Sequence, residues 1–154
     1  FKKHQTEINQ IRQLLDTELP RLEDIRARLN EVSVQSSRLM ISLTVDSLVA
    51  EYLADAVNES RKQQSLLNRS GSLIKTATLV REGIMLRSGT IQTVEILSAK
   101  IRAVILITLP AWIEQISVAS VQPSHTETEL FSFRRGIEDL LTQLKWEKTH
   151  ASAS

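Results

Sequence analysis

Apolar residues recur along most of this chain at steps of three and four, the spacing that lines one side of an α-helix. In the first segment Ile8, Leu15, Leu22 and Leu29 fall at one position of a heptad, and Ile11, Ile25 and Val32 at the other. Glu18 is the one misfit, with Leu19 beside it to cover the gap. The register is the same before and after Pro20, which sits away from the seam, so one helix kinked near Glu18 is expected rather than two. Ser33 to Ser37 reads as a turn. Beyond it Ile41, Leu43 and Val45 alternate like a strand, but a lone strand has no partner. A helix with Leu39, Leu43, Leu48, Tyr52, Leu53 and Val57 inward is the better reading. Asn68-Arg69-Ser70-Gly71-Ser72 is the clearest break, with Gly71 as a helix stop.

From Ser72 a long pattern begins: Leu73, Ala77, Val80, Ile84, Ile91, Val94, Ile101 and Ile105, with Arg87 and Ser98 as exceptions. Gly83 and Gly89 each weaken such a helix by about 1 kcal/mol relative to alanine, and they suit either a close crossing or a kink. Eleven residues without a charge follow, Ala103 to Ile113, too short to span a bilayer at roughly 20 residues but suited to a segment buried on nearly all sides. Pro110 bends or restarts the helix there, with Trp112, Ile113 and Ile116 continuing inward. Gln122-Pro123 ends it. Ser124 to Glu127 has the form of a capping box, opening a last helix that buries Leu130, Phe131, Ile137, Leu140, Leu141 and Leu144.

The expected fold is all-α: an elongated antiparallel bundle of about four to five long helices, some kinked at Pro20 and Pro110. One helical domain covers 1–149 and residues 150–154 form a disordered tail. A chain that begins on Phe1 reads as cut from a longer one. Composition sharpens this. Aromatics make up 4% and there are only four glycines and three prolines, which argues for long helices with few connections. Nineteen basic residues nearly cancel eighteen acidic ones, so no basic groove for nucleic acid is expected. Zero cysteines remove disulfides, thiolate catalysis and cysteine metal sites, which fits a reducing, cytoplasmic setting.

Candidate chemistry is sparse. His4, His125 and His150 are scattered, and His125 with Glu127 and Glu129 is better explained by capping and the helix dipole than by a metal. There is no nucleophile elbow, phosphate loop or dinucleotide fingerprint. The carboxylate pairs Glu23-Asp24 and Glu138-Asp139 should lie on solvated faces. No catalytic residue, cofactor, metal or small-molecule substrate is therefore expected. Arg81, Arg87 and Arg102, with Lys75 and Lys100, form a cationic set that could hold an oxyanion or an acidic lipid, though each also suits an ordinary helix surface. Arg87 occupies a seam position, and a buried arginine must find a carboxylate or an anion.

The stretch KIRAVILITLPAWIEQ resembles the tellurite-resistance TelA family, the toxic anion resistance proteins of bacteria. That family carries a pattern of the form K-I-x-x-x-I-L-x-T-[IL]-P-x-W-x-x-Q. Here Lys100, Ile101, Ile105, Leu106, Thr108, Leu109, Pro110, Trp112 and Gln115 meet it. The likeness covers about 84–121, and the chain departs from the family where Gln122-Pro123-Ser124 replaces a continuing helix. The resemblance implies a cytoplasmic or membrane-peripheral helical protein tied to resistance to tellurite and to envelope stress. Read physically, Pro110 and Trp112 make a bend with a large anchor, Thr108 can bond back to an upstream carbonyl, and a buried Gln115 needs a polar partner. Two functional expectations follow. One is a non-enzymatic helical protein acting in toxic-anion or envelope-stress resistance through protein or membrane-surface contacts. The other is a coiled-coil assembly module pairing through the segment from Ile8 to Val32.

Overall fold

The computed structural model describes residues 2–119 and 127–151, and all of these except 57–59 are helical. The helices are α1 (Lys2–Ala56), α2 (Ser60–Ala103), α3 (Leu109–Ala119) and α4 (Glu127–Ala151), with a π-helical segment, Val104–Thr108, joining α2 to α3. Because α2, the π segment and α3 follow without a gap, the described chain is three continuous rods rather than four or five. The all-α class is as expected. Pro20 lies inside α1 on its exposed side, so the helix passes through it.

Two expected breaks are absent. Ser33–Ser37 is helical, and Ser37 Oγ donates back to the Ser33 carbonyl at 2.9 Å. Asn68 to Ser72 also lies inside α2, Gly71 included. The only non-helical described residues are Val57, Asn58 and Glu59, where the chain reverses from α1 to α2. The expected capping box from Ser124 and the side chains of Leu130 and His150 lie outside the described residues.

The fold divides into two compact units, one of residues 27–92 and one of residues 1–26 with 93–154. In the second of these, α1, α2, α3 and α4 share a core. Leu15 and Leu22 pack with Val94, Leu97 and Ile101 and with Leu140 and Leu144. Ile8 packs with Leu109, Trp112, Ile116 and Ile137. Ion pairs rim it: Arg26 to Glu95 at 3.4 Å, Arg134 to Glu7 at 3.5 Å, and Arg102 to Glu23. These pairs are half exposed, so each contributes roughly 0–1 kcal/mol and the core carries the stability. Glu18 stays on the seam and is buried, while Leu19 packs against the same cluster.

Unit 27–92 is a hairpin of α1 against α2 with an unusual interior. Its inner seam on α1 runs Leu29, Ser33, Ser36, Met40, Leu43, Ser47, Ala50 and Ala54; on α2 it runs Gln63, Leu66, Ser70, Leu73, Ala77, Val80, Ile84, Arg87 and Ile91. The steps alternate three and four within each row, the period of a left-handed pair. Only small residues are buried there: Ser47, Ala50, Ala54, Ser70 and Ala77. Leu39, Leu48, Tyr52 and Leu53, expected inward, are exposed instead. The reason is a phase step on α1, where Ile25, Leu29 and Ser33 are separated by four and four. That extra residue replaces the series of Val32, Leu39 and Leu53 on the seam by Ser33, Met40, Ser47 and Ala54, while the series of Leu29, Ser36, Leu43 and Ala50 continues; Leu48 and Tyr52 lie on neither.

The serines that resembled turn formers are packing residues. Ser47 donates to the Ser70 carbonyl at 3.2 Å and lies 2.7 Å from Ser70 Oγ, which donates to Glu51 Oε1 at 3.2 Å. Enlarging Ser47, which is fully buried, should destabilise the hairpin. Ser47→Leu is expected to lose about 1–3 kcal/mol by overpacking. By the cavity argument, Leu15→Ala should lose about 2–5 kcal/mol. Urea unfolding followed by circular dichroism reads both, and an unchanged midpoint for Ser47→Leu would remove the close-packed seam.

Candidate functional site

The uncharged run around Pro110 is one-sided. Leu109 and Trp112 are each 2% exposed, but Leu106 is 73% and Ile107 69% exposed, so the run is not buried on nearly all sides as expected. A helix has more circumference than one core can cover, and here the core lies on the α1 and α4 side. The π segment has a local cause. Proline has no N–H and its ring collides with the carbonyl four residues back. Widening the turn just upstream, with the Leu109 N–H donating to the Val104 carbonyl five residues back, accommodates that clash. Thr108 makes no bond to an upstream carbonyl among the described residues; the widened turn does that work instead.

The signature residues divide into two sets. Trp112 sits in the core with Ile8, Leu109, Ile116 and Ile137. Lys100 and Pro110 are exposed, and Thr108 and Gln115 are half-buried. Trp112 Nε1 and Gln115 Oε1 are both buried without a hydrogen-bond partner, a donor and an acceptor one helical turn apart. Gln115 therefore lacks the polar partner its position demanded. Beside the π segment, a cleft of about 230 Å³ is lined by Val104, Thr108, Ser132, Gly136 and Ile137. Among the described residues its side-chain polar groups are the hydroxyls of Thr108 and Ser132.

The arginines are divided between the two units. Arg102 is engaged by Glu23 in the unit built from residues 1–26 and 93–154. Arg81 and Arg87 belong to unit 27–92, where Arg81 is exposed. Arg87 finds a hydroxyl rather than a carboxylate or anion: its Nη2 donates to Ser36 Oγ at 2.6 Å, while its Nε is buried without a partner. A side-chain carbon at Gly83 would lie 3.5 Å from the guanidinium, an ordinary contact, so this bond does not depend on glycine there. Lys75 and Lys100 are both exposed. Among the described residues no group of three His, Asp or Glu is placed to hold a metal ion.

What the sequence reading missed is the outward surface. Val34, Ile41, Val45, Leu48, Tyr52, Leu79, Met85 and Leu86 are large, apolar and exposed in unit 27–92. A signal was available: Ser33, Ser36, Ser47, Ala50 and Ala54 fall on one three-four series with Met40 and Leu43, which leaves Ile41, Val45, Leu48 and Tyr52 on the other side of α1. The continuous helix Ser60–Val118 also contains an 18-residue window long and apolar enough, by length and composition, to cross a membrane, and 28% of that window is buried. No protein-family model matches the chain, and no curated protein or solved structure matches it.

A structural Gln115 and a ligand-binding one differ in a measurable way. Removing a buried acceptor that has no partner relieves its desolvation cost, about 1–3 kcal/mol, so Gln115→Leu should keep or raise the melting temperature. Trp112→Ala should lose about 3–5 kcal/mol. Thermal unfolding of the two variants checks this, and a lower melting temperature for Gln115→Leu would show that its amide has a partner.

Proposed function

We propose that this chain is a non-enzymatic helical protein that acts by docking onto other macromolecules, a protein or a membrane surface. Its setting is the bacterial toxic-anion or envelope-stress resistance that the TelA-like signature suggests. The observation that carries the docking part is the outward surface of unit 27–92, where Val34, Ile41, Val45, Leu48, Tyr52, Leu79, Met85 and Leu86 are all exposed. Monomeric soluble proteins rarely leave so much contiguous apolar surface in water, and such patches mark interaction sites. The apolar window in Ser60–Val118 suits contact with a membrane surface as well as with protein. Direct capture of the anion is the weaker mechanism, because Arg102 is engaged by Glu23 and Arg87 by Ser36.

A plain assembly module is the second reading. Its original form, pairing through the segment from Ile8 to Val32, meets an obstacle: Ile8, Leu15 and Leu22 are already buried by the chain's own α2, α3 and α4. Assembly would have to use a different surface.

Expression in a tellurite-sensitive bacterium tests the proposal. The protein should raise the tellurite concentration that cells survive, and the pair Arg81→Ala with Arg102→Ala should protect as well as the parent. Titration calorimetry with tellurite, selenite and phosphate should show no heat of binding. Absence of any protection would remove the resistance role. Protection that disappears with the arginines, together with a binding heat, would replace docking by anion capture.

A further inference from the structure

On the side of α1 away from the inner seam, unit 27–92 carries a second row: Arg38, Ile41, Val45, Leu48, Tyr52 and Asp55, all exposed. Its steps are three, four, three, four and three, the period of a coiled-coil seam, and they read the same in either direction. The row is apolar in its four central positions and ends in opposite charges. Neither end residue has an ion pair within the chain among the described residues, although bridges such as Arg12 to Asp16, Arg26 to Glu95 and Arg134 to Glu138 form elsewhere. In an antiparallel helix pair, equivalent flanking positions face the same side, so Leu67 and Ile74 of α2 border this row. Gly71 lies between them with open space around it.

We propose that this row is a self-association surface on which a second copy of the chain packs antiparallel about a two-fold axis. Under that operation Ile41 meets Tyr52 of the second copy, Val45 meets Leu48, and Arg38 meets Asp55 at both ends. A two-fold interface must be self-complementary, and this one is complementary in spacing, in apolarity and in charge. The parallel alternative sets Arg38 against Arg38 and Asp55 against Asp55, which is repulsive at both ends. A lipid surface would not require opposite charges at the two ends of the strip, so the charge pattern favours a second copy. The inference rests on unit 27–92 being a docking surface and is independent of any role in tellurite resistance.

The absence of cysteine makes the full chain well suited to a direct test. Single variants Arg38→Cys and Asp55→Cys, mixed and treated with a short bismaleimide, should give mainly mixed cross-linked dimers, with little product from either alone. By sedimentation the parent should be a dimer at about 50 μM. Leu48→Glu and Tyr52→Lys should each weaken association at least about tenfold with helicity unchanged by circular dichroism, equivalent to about 1.4 kcal/mol or more. Exchanging the end charges together, Arg38→Asp with Asp55→Arg, should restore dimers that either change alone weakens. A monomeric parent at that concentration overturns the proposal, as does efficient cross-linking within a single-cysteine variant, which means parallel pairing. A monomer that floats with anionic phosphatidylglycerol vesicles, and stops floating with Leu48→Glu, assigns the surface to membrane instead. Because tellurite survival is scored separately, a failed pairing leaves that result standing, and the reverse.

Discussion

The close approach of α1 to α2 in the hairpin is the constraint from which most other features follow. Ser47 and Ser70 meet with their hydroxyl oxygens 2.7 Å apart, and Ala50, Ala54 and Ala77 extend the same contact. Where the backbones come this near, the buried positions are serine and alanine, and Leu43, Leu66 and Leu73 on the same seam are half-buried. The large apolar residues off the seam, among them Ile41, Val45, Leu48 and Tyr52, face outward and are exposed. The serines supply the polar side of the same arrangement. Ser36, Ser47 and Ser70 find partners across the contact, whereas the buried Ser33 hydroxyl does not, and an unpaired polar group costs roughly 1–3 kcal/mol.

The unit built from residues 1–26 and 93–154 follows the opposite rule. There leucine, isoleucine, valine and tryptophan fill the interior, and charges sit at the rim. The π segment belongs to this logic. Pro110 removes one donor and crowds one carbonyl, and the widened turn before it still lets Leu109 and Trp112 point into the core. The cost is a helix whose other face, at Leu106 and Ile107, stays uncovered by its own chain. Pro20 on α1 creates no such problem, because its exposed position lets water meet the freed carbonyl.

Much of this was legible from periodicity. The α2 series from Leu73 to Ile105 reads correctly because its step pattern never changes, so even the exceptions Arg87 and Ser98 fall on the seam. The series on α1 is legible up to Leu29 and then fails, because four-four steps at Ile25, Leu29 and Ser33 shift the phase where serines also lower helix propensity. Local propensity suggested a turn; a long helix held by tertiary contact overrode it. Of the site, burial of Trp112 was legible from its neighbours, and the partner of Arg87 was not. A hydroxyl on Ser36, 51 positions away, is invisible to any argument about local spacing. Phe131, expected inward, is exposed: it lies six residues from Ile137, off the seven-residue step that links Ile137 to Leu144.

Charge completes the physical picture of the outward surface. A net charge of +1 on 154 residues gives copies of this chain almost no long-range repulsion, so electrostatics does not hold its apolar strips apart. Natural proteins usually protect such strips by breaking them with charge, and here charge stands at the ends of the strip rather than within it. That placement changes what the charges do. Inside the strip they would block contact. At its ends, with opposite signs, they leave contact open and select its direction. An apolar row of this kind gives association its strength, and the two terminal charges decide which of the two orientations survives.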